Sequence, residues 1–251
     1  MKYDWQWAIF FEMASDGSGT WLKYLVVGLA WTLATALAAW VIALSIGAVV
    51  GTLRTTPLKW VARMSGAYVE VFRNIPLLVQ MFLWYFVLPE VLPKAFGDWM
   101  KQIPPPWGSF VPAVLCLGIY TSVRVAEQVR AGIQSLSRGQ GMAGTALGLT
   151  LPQTYRYVLL PMAFRIVLPP LTSEFLNIIK NSSVALTISL LELTGRARAM
   201  QELTFKVFEA FAAATVIYLL TNLVVVLAMR ALEKKVRVPG LISASPSAGG
   251  H

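Results

Sequence analysis

The chain has 251 residues, 57% of them apolar and only 13% charged, with a mean hydropathy of +0.63; that is too apolar for an ordinary soluble domain and excludes a disordered chain. Twenty-one Lys and Arg against twelve Asp and Glu leave a net charge of +9, but in so apolar a chain the positions of the charges say more than their sum. One cysteine, Cys116, and one histidine, the last residue His251, exclude an intrachain disulfide and a Cys metal cluster and leave almost no room for His or thiolate catalysis.

Residues 1–21 are expected to form an external amphipathic segment, acidic and rich in Trp (Asp4, Trp5, Trp7, Glu12, Asp16, Trp21), whose aromatics serve as interfacial anchors. From Tyr24 to Leu53 run 30 residues without a charge, where about 20 apolar residues suffice to cross a bilayer as a helix. The run is too long and wrongly flanked for a secretory signal, so it is expected to stay uncleaved. Within it, Gly47 and Gly51 have the spacing of close helix packing. A second span is predicted over Ala67–Leu88, interrupted near its start by Glu70, Arg73, Asn74 and Pro76 and closed by Pro89 and Pro93. The third covers Phe110–Ala131, after Pro104-Pro105-Pro106. A fourth, Ile166–Leu191, carries Pro169, Pro170, Glu174, Asn177 and Lys180, which hydropathy alone scores poorly. The fifth, Phe208–Met229, is charge-free after Glu209. The reading is an all-α polytopic membrane protein of about five spans, with its termini on opposite faces.

Orientation follows from Lys and Arg in the short loops. Arg54, Lys59 and Arg63 lie between spans one and two; Arg130, Arg138, Arg156 and Arg165 lie between three and four; Arg230, Lys234, Lys235 and Arg237 follow span five. The other three segments are nearly balanced in sign. The N-terminus is therefore expected outside and the C-terminus in the cytoplasm, so that the excess charge marks orientation and gives no reason to invoke nucleic acid. The tail 236–251, with its Ser-Ala-Ser-Pro-Ser-Ala-Gly-Gly, is expected to be disordered.

The one sizeable inner loop, about 137–161, reads as a short helix over Gly144–Leu149 ended by glycine, then a second short helix opened by Thr150-Leu151-Pro152. Leu149, Leu151, Tyr155 and Tyr157 have no core of their own to enter. Such a pair of helices either docks into a cleft on a soluble partner or packs back on its own membrane helices.

The order Gly139, Gln140, Leu147, Gly148, Leu149, Pro152, Gln153, Tyr155, Arg156, Tyr157, Val158, Leu160, Pro161 resembles the EAA loop of bacterial ABC importer membrane subunits. The runs Glu70–Gln80, Val125–Leu136, Pro169–Glu174 and Lys180–Ser183 fit the polar amino acid permeases within that family, and over about residues 22–238 the likeness is nearest to those for glutamate and aspartate. One departure stands out. Where the family commonly has Glu-Ala-Ala, this chain has Met142-Ala143-Gly144, so an ion pair from position 142 is impossible. The resemblance implies a type I importer transmembrane domain over 22–235 in the bacterial inner membrane. It also implies coupling through Gln140, Ala143, Gly148, Leu149, Pro152, Tyr155, Arg156, Leu160 and Pro161. The partners it implies are a cytoplasmic ATP-binding subunit dimer, a second related permease forming a heterodimer, a periplasmic glutamate/aspartate-binding protein and membrane lipid. No cofactor is expected on this chain. ATP is used by the partner, since no G-x-x-x-x-G-K-[ST] occurs here.

Ionisable groups inside a span are costly unless paired or facing a wet cavity. In span three, Arg124, Glu127 and Arg130 share one helical face. Arg130 reads as a snorkelling anchor. Arg124 either grips a substrate carboxylate with two parallel hydrogen bonds or forms an internal ion pair with Glu127. In span four, Glu174, Asn177, Lys180 and Asn181, then Ser182 and Ser183, suit a cavity wall or broken helix, or else hydrogen bonds between membrane subunits. Glu70 and Arg73 read as an inner gate or a structural pair. Three functions stay open: an importer permease for glutamate and aspartate or another polar amino acid such as glutamine or asparagine; a stand-alone secondary transporter or channel; and a non-transporting scaffold. The absence of a detectable inverted repeat counts against the second, and polar stripes at membrane depth count against the third.

Overall fold

A computed structural model describes residues 3–236; the expected disorder of the tail beyond position 236 falls outside them. The described residues are helical almost throughout, with one isolated bridge, Met13 to Thr20, in the N-terminal segment. The helices are α1 (Trp21–Leu53), α2 (Lys59–Arg73), α3 (Leu77–Val91), α4 (Lys94–Lys101), α5 (Trp107–Gln134), α6 (Arg138–Ala146), α7 (Leu151–Ile188), α8 (Leu193–Thr204) and α9 (Val207–Val236). Four of them, α1, α5, α7 and α9, are long and apolar enough to cross a membrane, and the pair α2–α3 makes a fifth candidate.

The centre of the fold is the seam between α1 and α5. On α1 the buried positions Thr32, Ala36, Ala39, Ala43, Gly47 and Gly51 recur every three or four residues and are all small. In lipid there is no hydrophobic force between helices, so association depends on close van der Waals contact, which small residues permit. A methyl group added at Gly47 would sit 2.6 Å from the Val125 side chain, and one at Gly51 would sit 2.5 Å from the Ala126 carbonyl oxygen. The close packing expected of this glycine pair is therefore present, and α5 is its partner. At the other end of α1, the N-terminal segment folds back over the membrane helices. Ile9 and Ala14 pack with Trp21 and Tyr24 in a second cluster that includes Leu193 and Ala210, and the Tyr3 hydroxyl donates to Glu209 at 2.5 Å.

Two predicted spans differ from what is observed. Span two is not a single helix from Ala67: α2 begins at Lys59, and α3 leaves it at 97°. Pro76 cannot continue the ladder, the Asn74 amide turns back to the Glu70 carbonyl at 2.6 Å, and the Gln80 amide donates to the carbonyls of Phe72 (2.9 Å) and Ile75 (3.0 Å). The freed carbonyls of the elbow thus find a buried donor. The broken pair still advances along α5: Val69 packs with Val123 and Ala126, and further on the Cys116 thiol faces the Leu77 carbonyl. Span four begins much earlier than Ile166, because α7 runs from Leu151 in one continuous 38-residue helix. Pro161 is absorbed by a wide turn at Tyr155–Leu159, and Pro169 and Pro170 lie within the helix; a π-type turn is a usual way to accommodate such a lesion. The second helix of the inner loop and the fourth span are therefore one element.

Candidate functional site

The loop between α5 and α7 forms a hairpin of α6 and the start of α7. Gly148 holds φ +76° just beyond α6, and the Leu149 amide returns to the Gly144 carbonyl at 3.1 Å, a left-handed helix ending for which glycine is suited. Thr150 and Gln153 then form a capping box that starts α7, with Pro152 in its first turn. Gly144 lets the two arms touch, since a methyl there would meet the Thr154 side chain at 2.8 Å. The expected short helix is longer than predicted, beginning at Arg138.

The residues of this loop divide into some that pack back on the membrane helices and others that are exposed. Tyr155 turns inward: its hydroxyl donates to the Thr55 carbonyl at 2.8 Å and lies 3.1 Å from the Thr55 hydroxyl, and its ring joins the main core. Leu160 packs against the same core. Met142, Leu147, Leu151 and Tyr157 are exposed, Leu147 at 79%. Ala143, Gly148, Pro152, Arg156 and Pro161 are exposed as well, Gln140 and Leu149 are half-buried, and the Arg156 guanidinium lies over the Tyr157 ring.

Above the hairpin sits a charged knot that the sequence did not reveal. Glu127 pairs with Arg54, the residue that ends α1, and with Arg130 at 2.9 Å, and Arg130 also reaches Gln134 at 3.1 Å. Arg54 is only 14% exposed. The anticipated Arg124–Glu127 pair is thus replaced: both carboxylate oxygens of Glu127 are engaged by other arginines. By sequence Arg54 is a loop charge, and the close seam of α1 and α5 brings it to Glu127.

One turn further along α5, Arg124 projects toward α7. Its guanidinium lies 3.9 Å from a Glu174 carboxylate oxygen, too far for a hydrogen bond, and rests on Tyr120, whose hydroxyl accepts from it at 3.2 Å. Arg124 is half exposed, whereas Glu174 is buried and its Oε2 has no hydrogen-bond partner. At 1.5 Å per residue, Arg124 is roughly 26 Å along a helix about 42 Å long, well inside the span. Asn177 and Asn181 follow Glu174 along α7, both half-buried, and Lys180 is exposed. Ser182 and Ser183 turn their hydroxyls back to the carbonyls of Ile179 (2.8 Å) and Lys180 (2.7 Å), where the helix tightens into a 3-10 stretch ended by Ser189 at φ +65°. Glu70 and Arg73 form an exposed two-pronged pair beside the elbow, at the end of α2 and not at the start of a span.

Glu192 is a further buried carboxylate. It caps α8, accepting from the amides of Thr194 (2.9 Å) and Gly195 (2.8 Å), from the Tyr218 hydroxyl (3.0 Å) and from Thr32 (3.4 Å). Burial pushes its pKa up, and these hydrogen bonds pull it back. An acidic residue directly before Leu-Thr-Gly is the sequence signal of such a cap.

The bundle thus combines a broken second span, a hairpin between α5 and α7 with exposed apolar side chains, and ionisable side chains well within its long apolar helices. Residues 43–238 match the model of the binding-protein-dependent transport system inner membrane component, and the chain belongs to that family. It is 46% identical over 96% of its length, and 98% of the relative's, to the glutamate/aspartate import permease protein GltJ of Escherichia coli K12. It is 33% identical to the glutamine transport system permease protein GlnP of the same organism, over 90% of this chain and all of that one. Among solved structures, an amino acid ABC transporter crystallised with histidines matches with TM-score 0.72 and 31% identity, covering 86% of this chain and 95% of that one. The inward-facing MetNI methionine ABC transporter, at TM-score 0.73 and 20% identity over 90% of this chain and 100% of that one, shares the fold. The chain is accordingly an amino acid ABC importer permease of the inner membrane, and not itself an enzyme.

Proposed function

We propose that this permease serves the uptake of glutamate and aspartate, with its N-terminus outside and its C-terminus in the cytoplasm. It pairs with a second, related permease, receives its substrate from a periplasmic glutamate/aspartate-binding protein and is driven by a cytoplasmic dimer of ATP-binding subunits. The observation that carries the substrate class is the Arg124–Glu174 arrangement. A guanidinium at membrane depth, half exposed and only loosely held, has N–H groups to offer to a carboxylate in parallel. The unpartnered oxygen of Glu174 beside it is buried, and on this reading it takes the ammonium group once Arg124 swings aside, so that an acidic amino acid satisfies both. Asn177, Lys180 and Asn181 continue the polar face for the remaining carboxylate, while Ser182 and Ser183 act by shaping the helix end. The 46% identity to a glutamate/aspartate permease supports the same class. Relatives named for glutamine, at 33% and 36% identity, support an amide substrate as the second reading.

Coupling runs through the hairpin. Met142, Leu147 and Tyr157 face outward for an ATP-binding subunit, and Tyr155 passes any displacement to Thr55 and so to Arg54 and Glu127, one turn from Arg124. The test is uptake into proteoliposomes holding the assembled complex. Labelled glutamate should enter only with ATP and binding protein, with aspartate competing and glutamine not. Saturable uptake by this chain alone, driven by protons or sodium, would contradict the importer mechanism, and equal competition by glutamine would favour the amide reading.

A further inference from the structure

A small cavity of about 260 Å³ opens between the hairpin-side ends of α7 and α9, away from the Arg124 site. Arg165 enters it from α7, and Arg230 and Lys234, one turn apart, enter it from α9. Among the described residues none of the three has a carboxylate within 4 Å, whereas Arg54, Arg73, Lys101, Arg130 and Arg198 all do. The single carboxylate among the described residues that line the cavity, Glu233, is engaged by the Thr172 hydroxyl at 2.9 Å, a bond that ties α7 to α9 at this level. The remaining wall is apolar, formed by Leu168, Pro169 and Val236.

Three converging cations outweigh one acid, so the cavity carries an uncompensated positive charge at the end of two membrane helices. We propose that it binds the phosphate head group of an anionic phospholipid. Arg and Lys donors grip the phosphate, and the apolar wall receives the start of an acyl chain. Basic pockets between membrane helices attract anionic head groups in this way, with each basic residue adding to the affinity. A free phosphate would satisfy the same cations but would leave the apolar wall unused. The cytoplasmic leaflet as the lipid's source rests on the orientation proposed above; the chemistry of the cavity does not.

The test is native mass spectrometry of the full chain in its assembled complex, titrated with phosphatidylglycerol or phosphatidylcholine. Phosphatidylglycerol should be retained in preference, and Arg230→Gln with Lys234→Gln should cut its retention about tenfold. Arg63→Gln, an exposed basic residue elsewhere on the chain, should leave it unchanged. Equal loss in Arg63→Gln, equal retention of both lipids, or displacement of phosphatidylglycerol by an equal concentration of inorganic phosphate would overturn the proposal. In the unsubstituted protein, a photoactivatable phosphatidylglycerol should label the segments around positions 165–169 and 230–236. Labelling only elsewhere would overturn it without reference to any variant.

Discussion

Two groups of charges lie a single turn apart on α5, and they are built differently. Around Glu127 the carboxylate is fully engaged: Arg54 and Arg130 take its two oxygens, and Tyr155 ties the hairpin to the neighbouring Thr55. Around Glu174 the charges are left incomplete, with Arg124 at 3.9 Å and one buried oxygen unpartnered. A saturated knot holds helices and transmits movement, because nothing in it is free to bind. An unsaturated pair is poorly suited to holding helices and well suited to receiving a ligand that brings both signs of charge. On the function proposed above, the charge at membrane depth that receives substrate is the one whose hydrogen-bonding capacity is unfilled, and the filled one serves to hold and couple the helices.

Breaking the knot should cost most. Glu127→Ala leaves two guanidiniums facing each other, and with Glu127 27% exposed the loss is expected to be about 2–3 kcal/mol, below the value for a fully buried pair. It should appear as a lowered thermal midpoint of the purified complex. Gly148→Asp forces a left-handed backbone on a non-glycine residue, at a cost of about 1–2 kcal/mol, in a place where nothing lies within 4 Å of an added Cβ. The chain should therefore still fold while stimulation of the ATP-binding partner is lost; normal stimulation would remove the hairpin from coupling. Tyr155→Phe deletes one bond to Thr55, worth about 1 kcal/mol, and should loosen ATP hydrolysis from uptake more than it lowers the midpoint. The exposed Glu70–Arg73 pair sets the lower bound. Arg73→Ala should change stability by no more than about 0.5 kcal/mol, and a larger fall would give the elbow a structural role that its hydrogen bonds to Gln80 do not require.

Much of this fold was legible in the sequence because lipid imposes one requirement, long apolar helices, that hydropathy reads directly. The limits of spans one and three are legible to within three residues and so is the start of span five, although α9 runs on past Met229 to Val236, and the Gly47–Gly51 spacing announces its seam. The second and fourth spans were misjudged for opposite reasons. Near Pro76 the sequence is interrupted, and the chain does break, by 97°, because Pro76 has no N–H to continue the ladder and the side-chain amide of Gln80, one turn into α3, takes up the carbonyls of Phe72 and Ile75 instead. Near Pro161 it also looked interrupted, and the helix continues through a wide turn. Proline alone does not decide between these outcomes; the packing around it does. The candidate site was legible as residue types at membrane depth, and its pairing was not. Spacing placed Arg124 and Glu127 on one face, but partners on other helices, Glu174 and Arg54, complete the geometry, and no periodicity within a single helix carries that information.

The contrast between a filled and an unfilled charge site is tested most directly by Arg124→Gln in the reconstituted complex, with glutamate uptake, glutamine uptake and thermal midpoint measured together. Removing a charged hydrogen-bond donor that serves the substrate and not the fold should lower glutamate uptake by at least about tenfold, spare glutamine, and leave stability within about 0.5 kcal/mol. A lowered midpoint accompanied by equal loss of both substrates would show that Arg124 and Glu174 hold the helices together, and would contradict the account.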